Sequence, residues 1–175
     1  MGVTFHGILR VGRGIEQEHR IERGKIYSRT WSLTDASIDE AVRLLQTDWS
    51  WWKNARAEKT RDLGDGRKEF MFHPVRFFNI IEGPPAFLVR FERTEDLADG
   101  GRRIHATLVG DFCGTAQYSA RPGVGGTLIE MGWCGAEVRG VLRCLPVTVL
   151  AAIHCWREWL GIKGLRARLQ LTSAR

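Results

Sequence analysis

At 175 residues the chain is long enough for one domain with a sizeable core. Hydrophobic residues make up 43% of it, with seven Trp and eight Phe among them, which excludes a disordered segment. The net charge of +6 permits an anionic partner, but no recognition motif accompanies it and no nucleic acid is expected.

No run approaches eighteen apolar residues, so no membrane-spanning helix is expected. The N-terminus carries Arg10 and Arg13 without a long apolar core or a cleavage-like site, and it makes a poor signal peptide. A cytoplasmic location is the resulting expectation. Cys113, Cys134, Cys144 and Cys155 show no CxxC spacing and no zinc pattern, which favours buried free thiols and no metal. No HExxH, phosphate loop, dinucleotide fingerprint or nucleophile elbow is present, so no cofactor is expected.

Residues 1–23 read as an N-terminal extension of uncertain structure, with a short strand near Val3–Val11 and a charged stretch at Glu16–Glu22. The main domain is expected over residues 24–171, leaving 172–175 as a tail. Its first strand, Lys25–Leu33, alternates Ile26, Ser28 and Thr30 against Tyr27 and Trp31. A short helix follows, with Ser37 and Glu40 as a capping box and Ile38, Ala41, Val42 and Leu45 as its apolar face. Asp48-Trp49-Ser50-Trp51-Trp52 is the densest aromatic cluster. It reads as a second short helix plugging one end of the core, or as a set divided between the core and an opening.

About six strands come next, separated by turn signals such as Asp65-Gly66, Asp99-Gly100-Gly101 and Pro122–Gly126. Phe70 and Phe72 share one face of theirs. The same holds for Phe87, Val89 and Phe91, for Ile104, Ala106 and Leu108, for Ala116, Tyr118 and Ala120, and for Ile129, Met131 and Trp133. Gly110 and Gly114 bracket an expected bend or bulge near Asp111. The last element is a helix from Pro146 to Gln170, about 37 Å long. Leu142, Leu145, Val149, Ile153, Trp156 and Leu160 recur at steps of three and four, widened by Val147, Leu150 and Ala151, and define the face expected against the sheet.

This order of elements gives an α+β chain in which a curved antiparallel sheet wraps a long C-terminal helix. It resembles the START-like, or Bet v 1-like (SRPBCC), superfamily with its helix-grip fold, most nearly the bacterial polyketide cyclase/dehydrase and lipid-transport branch. The likeness rests on Ser37–Leu45, Asp48–Trp52, Gly110-Asp111-Phe112-Cys113-Gly114, Gly125-Gly126-Thr127 with Leu128–Trp133, and His154 with Gly164-Leu165 and Arg168-Leu169. The resemblance implies a hydrophobic cavity between sheet and helix and no single activity.

Binding or carriage of a hydrophobic small molecule, a lipid or a polycyclic or aromatic compound, is therefore the first expectation. Trp133, Met131, Phe72, Phe87 and Trp52 are the candidate apolar lining, and Arg76 and Asn79 the candidate polar contacts at its mouth. A cavity-templated polyketide cyclase or dehydratase is the alternative. Tyr118, His73 and His154 are its candidate proton-transfer groups, with Glu158 one turn beyond His154. Alternatively, His154 and Glu158 form a surface pair and Tyr118 is a core residue. A third reading is a basic membrane-facing or structural module, from the tail Lys163–Arg175 and a weak affinity for anionic membranes. The oligomeric state is open.

Overall fold

The computed structural model describes residues 5–11, 14–52, 56–64, 67–73, 76–77, 81–82 and 87–173. Nine strands form one antiparallel sheet: β1 (Phe5–Val11), β2 (Ile15–Glu22), β3 (Lys25–Thr34), β4 (Arg56–Gly64), β5 (Arg67–His73), β8 (Phe87–Asp96), β9 (Arg102–Gly110), β10 (Phe112–Gly123) and β11 (Gly126–Val138). Their order across the sheet is β1-β2-β3-β11-β10-β9-β8-β5-β4. The short strands β6 (Arg76–Phe77) and β7 (Ile81–Glu82) pair separately. Helix α1 (Ile38–Thr47) follows β3, and α2 (Val147–Ser173) ends the chain after a 3-10 turn over Gly140–Cys144.

The period-two pattern decides which side of the sheet is dry. Ile104, Ala106 and Leu108 on β9, Ala116, Tyr118 and Ala120 on β10, and Ile129, Met131 and Trp133 on β11 are all buried. Cross-strand register puts Ala116 between Ala106 and Trp133, so equivalent positions form rows across the concave face. In α1 the Ser37 hydroxyl accepts from the Glu40 N–H at 3.2 Å, as the capping box requires. Ala41, Val42, Leu44 and Leu45 face inward from this helix.

The segment read from sequence as an uncertain extension supplies β1 and β2. β2 pairs with β3 along its length, from Ile15 opposite Ser32 to Glu22 opposite Lys25, and buries Ile15, Gln17 and Ile21. Of the four free cysteines only Cys155 is buried, whereas Cys134 and Cys144 are exposed.

Two expectations are corrected. The Asp48–Trp52 cluster is not a second helix but a turn, held by the Asp48 carboxylate accepting from the Ser50 N–H at 2.9 Å and by Trp52 N–H to Trp49 C=O at 3.1 Å. All three indoles point inward, packed on one another at centroid separations of 4.9–5.9 Å.

The second correction concerns the face of α2. The helix packs on β2, β3 and β11 through Leu150, Ala151, His154, Cys155, Glu158, Ile162, Leu165 and Leu169. Leu145, Val149, Ile153 and Trp156, expected against the sheet, are 43–53% exposed. The physical reason is that the buried face carries two polar side chains, and hydropathy assigns those to water. Small residues also decide the matter. A Cβ at Gly164 would overlap the Trp51 carbonyl, and one at Gly161 would press on the Trp52 ring at 3.0 Å. The helix can approach the tryptophan turn only with this side.

Candidate functional site

The inward residues of β3 alternate with the solvent-facing ones and, after Ile26, are polar and buried through Thr34; two of them, Ser28 and Thr30, belong to the site. They lie under α2 at the level of His154 and Glu158, which are one helical turn apart. The Glu158 carboxylate accepts from the Ser28 hydroxyl at 2.7 Å and from the Thr30 hydroxyl at 2.9 Å. His154 Nε2 stands 2.9 Å from the same carboxylate and 2.9 Å from Ser28 Oγ. Gln17 on β2 extends the chain, donating to Thr30 Oγ1 and to the Cys155 carbonyl, both at 2.8 Å. The Trp133 backbone N–H donates to Ser28 Oγ at 3.1 Å.

A buried carboxylate is tolerable only when its lone pairs are occupied by donors, and here three are. Its charge reaches further. Burial, reinforced by Glu158, pushes the Cys155 thiol up to about 12 and raises the Tyr118 phenol well above its usual value. The Tyr118 phenol therefore stays protonated. Burial lowers His19 on β2, with Glu158 opposing that shift and His154 adding to it.

Aromatic side chains occupy the concave face beside this network. The Trp133 ring is stacked on the His154 imidazole at 3.4 Å between centroids and stands against Phe112 and, edge-on, Phe87. Trp133 is brought there by a bend in β11. A Cβ at Gly132 would overlap the Ser28 carbonyl oxygen, and Gly135 adopts φ +84° at a register shift against β3. Trp49 meets Phe72 and Tyr118 edge-on and stacks with Phe91. The indole N–H groups of Trp49, Trp51, Trp52 and Trp159 are buried without an acceptor among the described residues.

The structure brings Tyr118, His154, Trp133, Met131, Phe72, Phe87 and Trp52 to the concave side, Phe87 half-buried and the rest buried. His154 and Glu158 are not a surface pair: they are 6% and 2% exposed. Asn79 and the side chains of His73 and Arg76 lie outside the described residues. Sequence reasoning missed Gln17, Ser28 and Thr30 as members of the network. The signal was present for two of them, since Ser28 and Thr30 share the parity of the buried Ile26. No group of three His, Cys, Asp or Glu among the described residues is placed to hold a metal.

No protein-family model matches the sequence, and no curated protein matches it either. Solved structures do match. A STAR-related lipid transfer protein fragment from Xanthomonas axonopodis superposes with a TM-score of 0.69 at 14% identity, covering 94% of this chain and 98% of that one. Human StAR-related lipid transfer protein 5 gives 0.69 at 14% identity, covering 96% and 88%. The lipid transfer and protein localization domain of human StarD13 gives 0.69 at 10% identity, covering 94% and 89%. At these identities the likeness is one of architecture, and it agrees with the curved sheet and long terminal helix: the chain has the START-like helix-grip fold.

Proposed function

We propose that the chain binds or carries a hydrophobic small molecule, a lipid or a polycyclic compound, between the concave face of the sheet and α2. The observation that carries this reading is the aromatic surface with its unpaired donors. Trp49, Trp51 and Trp52 bury three indole N–H groups that have no acceptor among the described residues. A buried donor left unmet costs about 1–3 kcal/mol, so a ligand bearing acceptor oxygens gains by meeting them. Rings of Phe72, Phe87, Phe91, Tyr118 and Trp133 supply flat apolar contact beside those donors. Solved proteins of this fold include ones named for lipid transfer, which supports the same class of ligand.

The direct test is organic extraction of the purified protein followed by mass measurement, with titration of a lipid and aromatic panel by tryptophan fluorescence. Recovery of an apolar compound and saturable quenching are expected. No extracted compound and no binding across the panel would remove the reading.

The cyclase or dehydratase alternative has one specific observation behind it, the burial of the His154–Glu158 pair within electrostatic reach of Tyr118. Both contacts of His154 Nε2 are to protein groups, which favours a structural role for the pair and places carriage first. Turnover of a polyketide precursor that falls with Tyr118→Phe would reverse that order.

A further inference from the structure

Helix α2 is apolar on two faces, and only one of them lies on the sheet. The other is formed by Val149, Ile153 and Trp156, at steps of four and three, and continues through Leu145 to Val141 in the preceding turn. Each of these side chains is 43–68% exposed. At that exposure the five present on the order of 500 Å², the size of patch that marks a contact surface on a soluble protein.

The charge of this region is as one-sided as its hydropathy. Residues 139–175 hold seven Lys and Arg and a single acid, Glu158, which is buried beneath the other face of the helix. The preceding 138 residues hold nineteen cations and nineteen acids. The whole surplus of +6 therefore belongs to the segment that carries the exposed stripe. Arg139 and Arg143 flank its beginning and Lys163 follows Leu160 one turn on. The neighbouring carboxylate, Glu137, is held by Lys25 at 2.9 Å and by Arg139 at 3.7 Å.

We propose that this face docks on an anionic lipid bilayer. Trp156, Ile153 and Val149 enter the boundary between headgroups and acyl chains, and the cations around them meet lipid phosphates and carboxylates. Tryptophan suits that boundary because its ring is apolar and its N–H reaches the wet side. The helix is not long and apolar enough to cross a membrane, so it lies along the surface. A second copy of the chain fits the face less well. It would set two acid-free cationic stripes against each other, and the patch falls below the roughly 800 Å² per partner of a stable interface. The docking surface is independent of what the interior holds.

The test uses the full chain and vesicles of phosphatidylcholine alone or with 30% phosphatidylglycerol, read by flotation at low and high salt. The variants are the double substitution Ile153→Glu/Trp156→Glu and the single Arg143→Glu. Both sites are exposed, so folding should persist, and circular dichroism with the thermal midpoint verifies it. Binding to anionic vesicles is expected to exceed binding to neutral ones at least tenfold and to weaken as salt shortens the screening length. The double variant should lose at least tenfold, and Arg143→Glu should lose selectively on anionic vesicles. Three results would overturn the proposal. One is no association with anionic vesicles at low salt. Another is association that the double variant leaves unchanged, which would place it on other cations. The third is a wild-type dimer in sedimentation that the double variant dissolves, which would assign the face to a second copy.

Discussion

Removing the Glu158 carboxylate tests whether the polar network under α2 is formed as described. The side chain is 2% exposed and takes Ser28 Oγ at 2.7 Å, Thr30 Oγ1 at 2.9 Å and His154 Nε2 at 2.9 Å. Hydrogen bonds to a charged group contribute about 1.5–3 kcal/mol each, but three around one carboxylate are not additive. Glu158→Ala leaves two hydroxyls and an imidazole facing a void, and at about 1–3 kcal/mol for each buried group left unmet, less than additively, the loss should be about 3–5 kcal/mol. That is a large share of the ~5–15 kcal/mol that holds a domain together. At about 2–4 °C per kcal/mol for a chain of this size, the thermal midpoint should fall by roughly 6–20 °C. Glu158→Gln keeps the volume and one acceptor oxygen and should lose about half as much. The paired change His154→Leu/Glu158→Met removes the imidazole with the carboxylate and refills the void, but leaves the Ser28 and Thr30 hydroxyls without their acceptor. It should recover only part of the loss, because apolar groups of similar size fill the void while the two hydroxyls stay unmet. Urea denaturation with all three variants is the assay. A loss below about 1 kcal/mol for Glu158→Ala would mean that the carboxylate is solvated, and the network as drawn would have to be abandoned.

Gly164→Ala places a methyl on the Trp51 carbonyl oxygen, so the helix must move away from the tryptophan turn, and a loss of about 1–3 kcal/mol is expected in the same denaturation assay. An unchanged midpoint would show that α2 does not approach that closely. Trp133→Leu should lower affinity for an extracted or titrated ligand at least tenfold while costing less than about 3 kcal/mol, and unchanged affinity with a larger loss would make Trp133 a core ring. His19 has its folded-state value lowered, chiefly by burial, below the ordinary 6.5. Stability linked to it is complete above pH 6.5 and is lost as the pH falls through the lowered value, so His19→Gln should flatten the stability profile below pH 6.5. Parallel profiles for the two proteins would remove His19 from the acid response. Trp156→Ala, on an exposed position, should cost less than about 1 kcal/mol, and a loss of 3 kcal/mol or more would restore Trp156 to the core.

The strands from β5 onward were legible because each is half-buried. Apolar side chains then recur at every second position, and Phe70, Val89, Ile104, Ala116, Ile129 and their neighbours reveal the dry face without reference to anything distant. β2 was illegible for the complementary reason. Ile15-Glu16-Gln17-Glu18-His19 places a buried glutamine where an apolar residue would normally stand, so the alternation looks charged throughout. Its place in the sheet follows from pairing with β3 and from Gln17 reaching Thr30 and the Cys155 carbonyl, and neither is a local property. The tryptophan turn failed in another way. Three indoles within four positions exceed what one face of a regular helix or strand presents, and an irregular turn is what allows all three to converge.

The misreading of α2 shows how the candidate site hides. A helix that packs through Leu150, Ala151, Ile162, Leu165 and Leu169 but also buries His154 and Glu158 has an interrupted apolar period. Its outer face, with Val149, Ile153 and Trp156, has an uninterrupted one. Periodicity alone must choose the outer face, because it treats every histidine and glutamate as solvated. The choice reverses only when the partners are counted. β3 offers Ser28 and Thr30 on its inward parity, and β2 adds Gln17, so the two polar residues of the helix meet three polar residues of the sheet. Each set alone reads as a flaw in an apolar surface. Together they satisfy one another, and the apolar stripe they displace is left facing outward. The buried network and the exposed stripe are thus two consequences of one placement of the helix, and a change that lets Ile153 and Trp156 turn inward must expose Glu158.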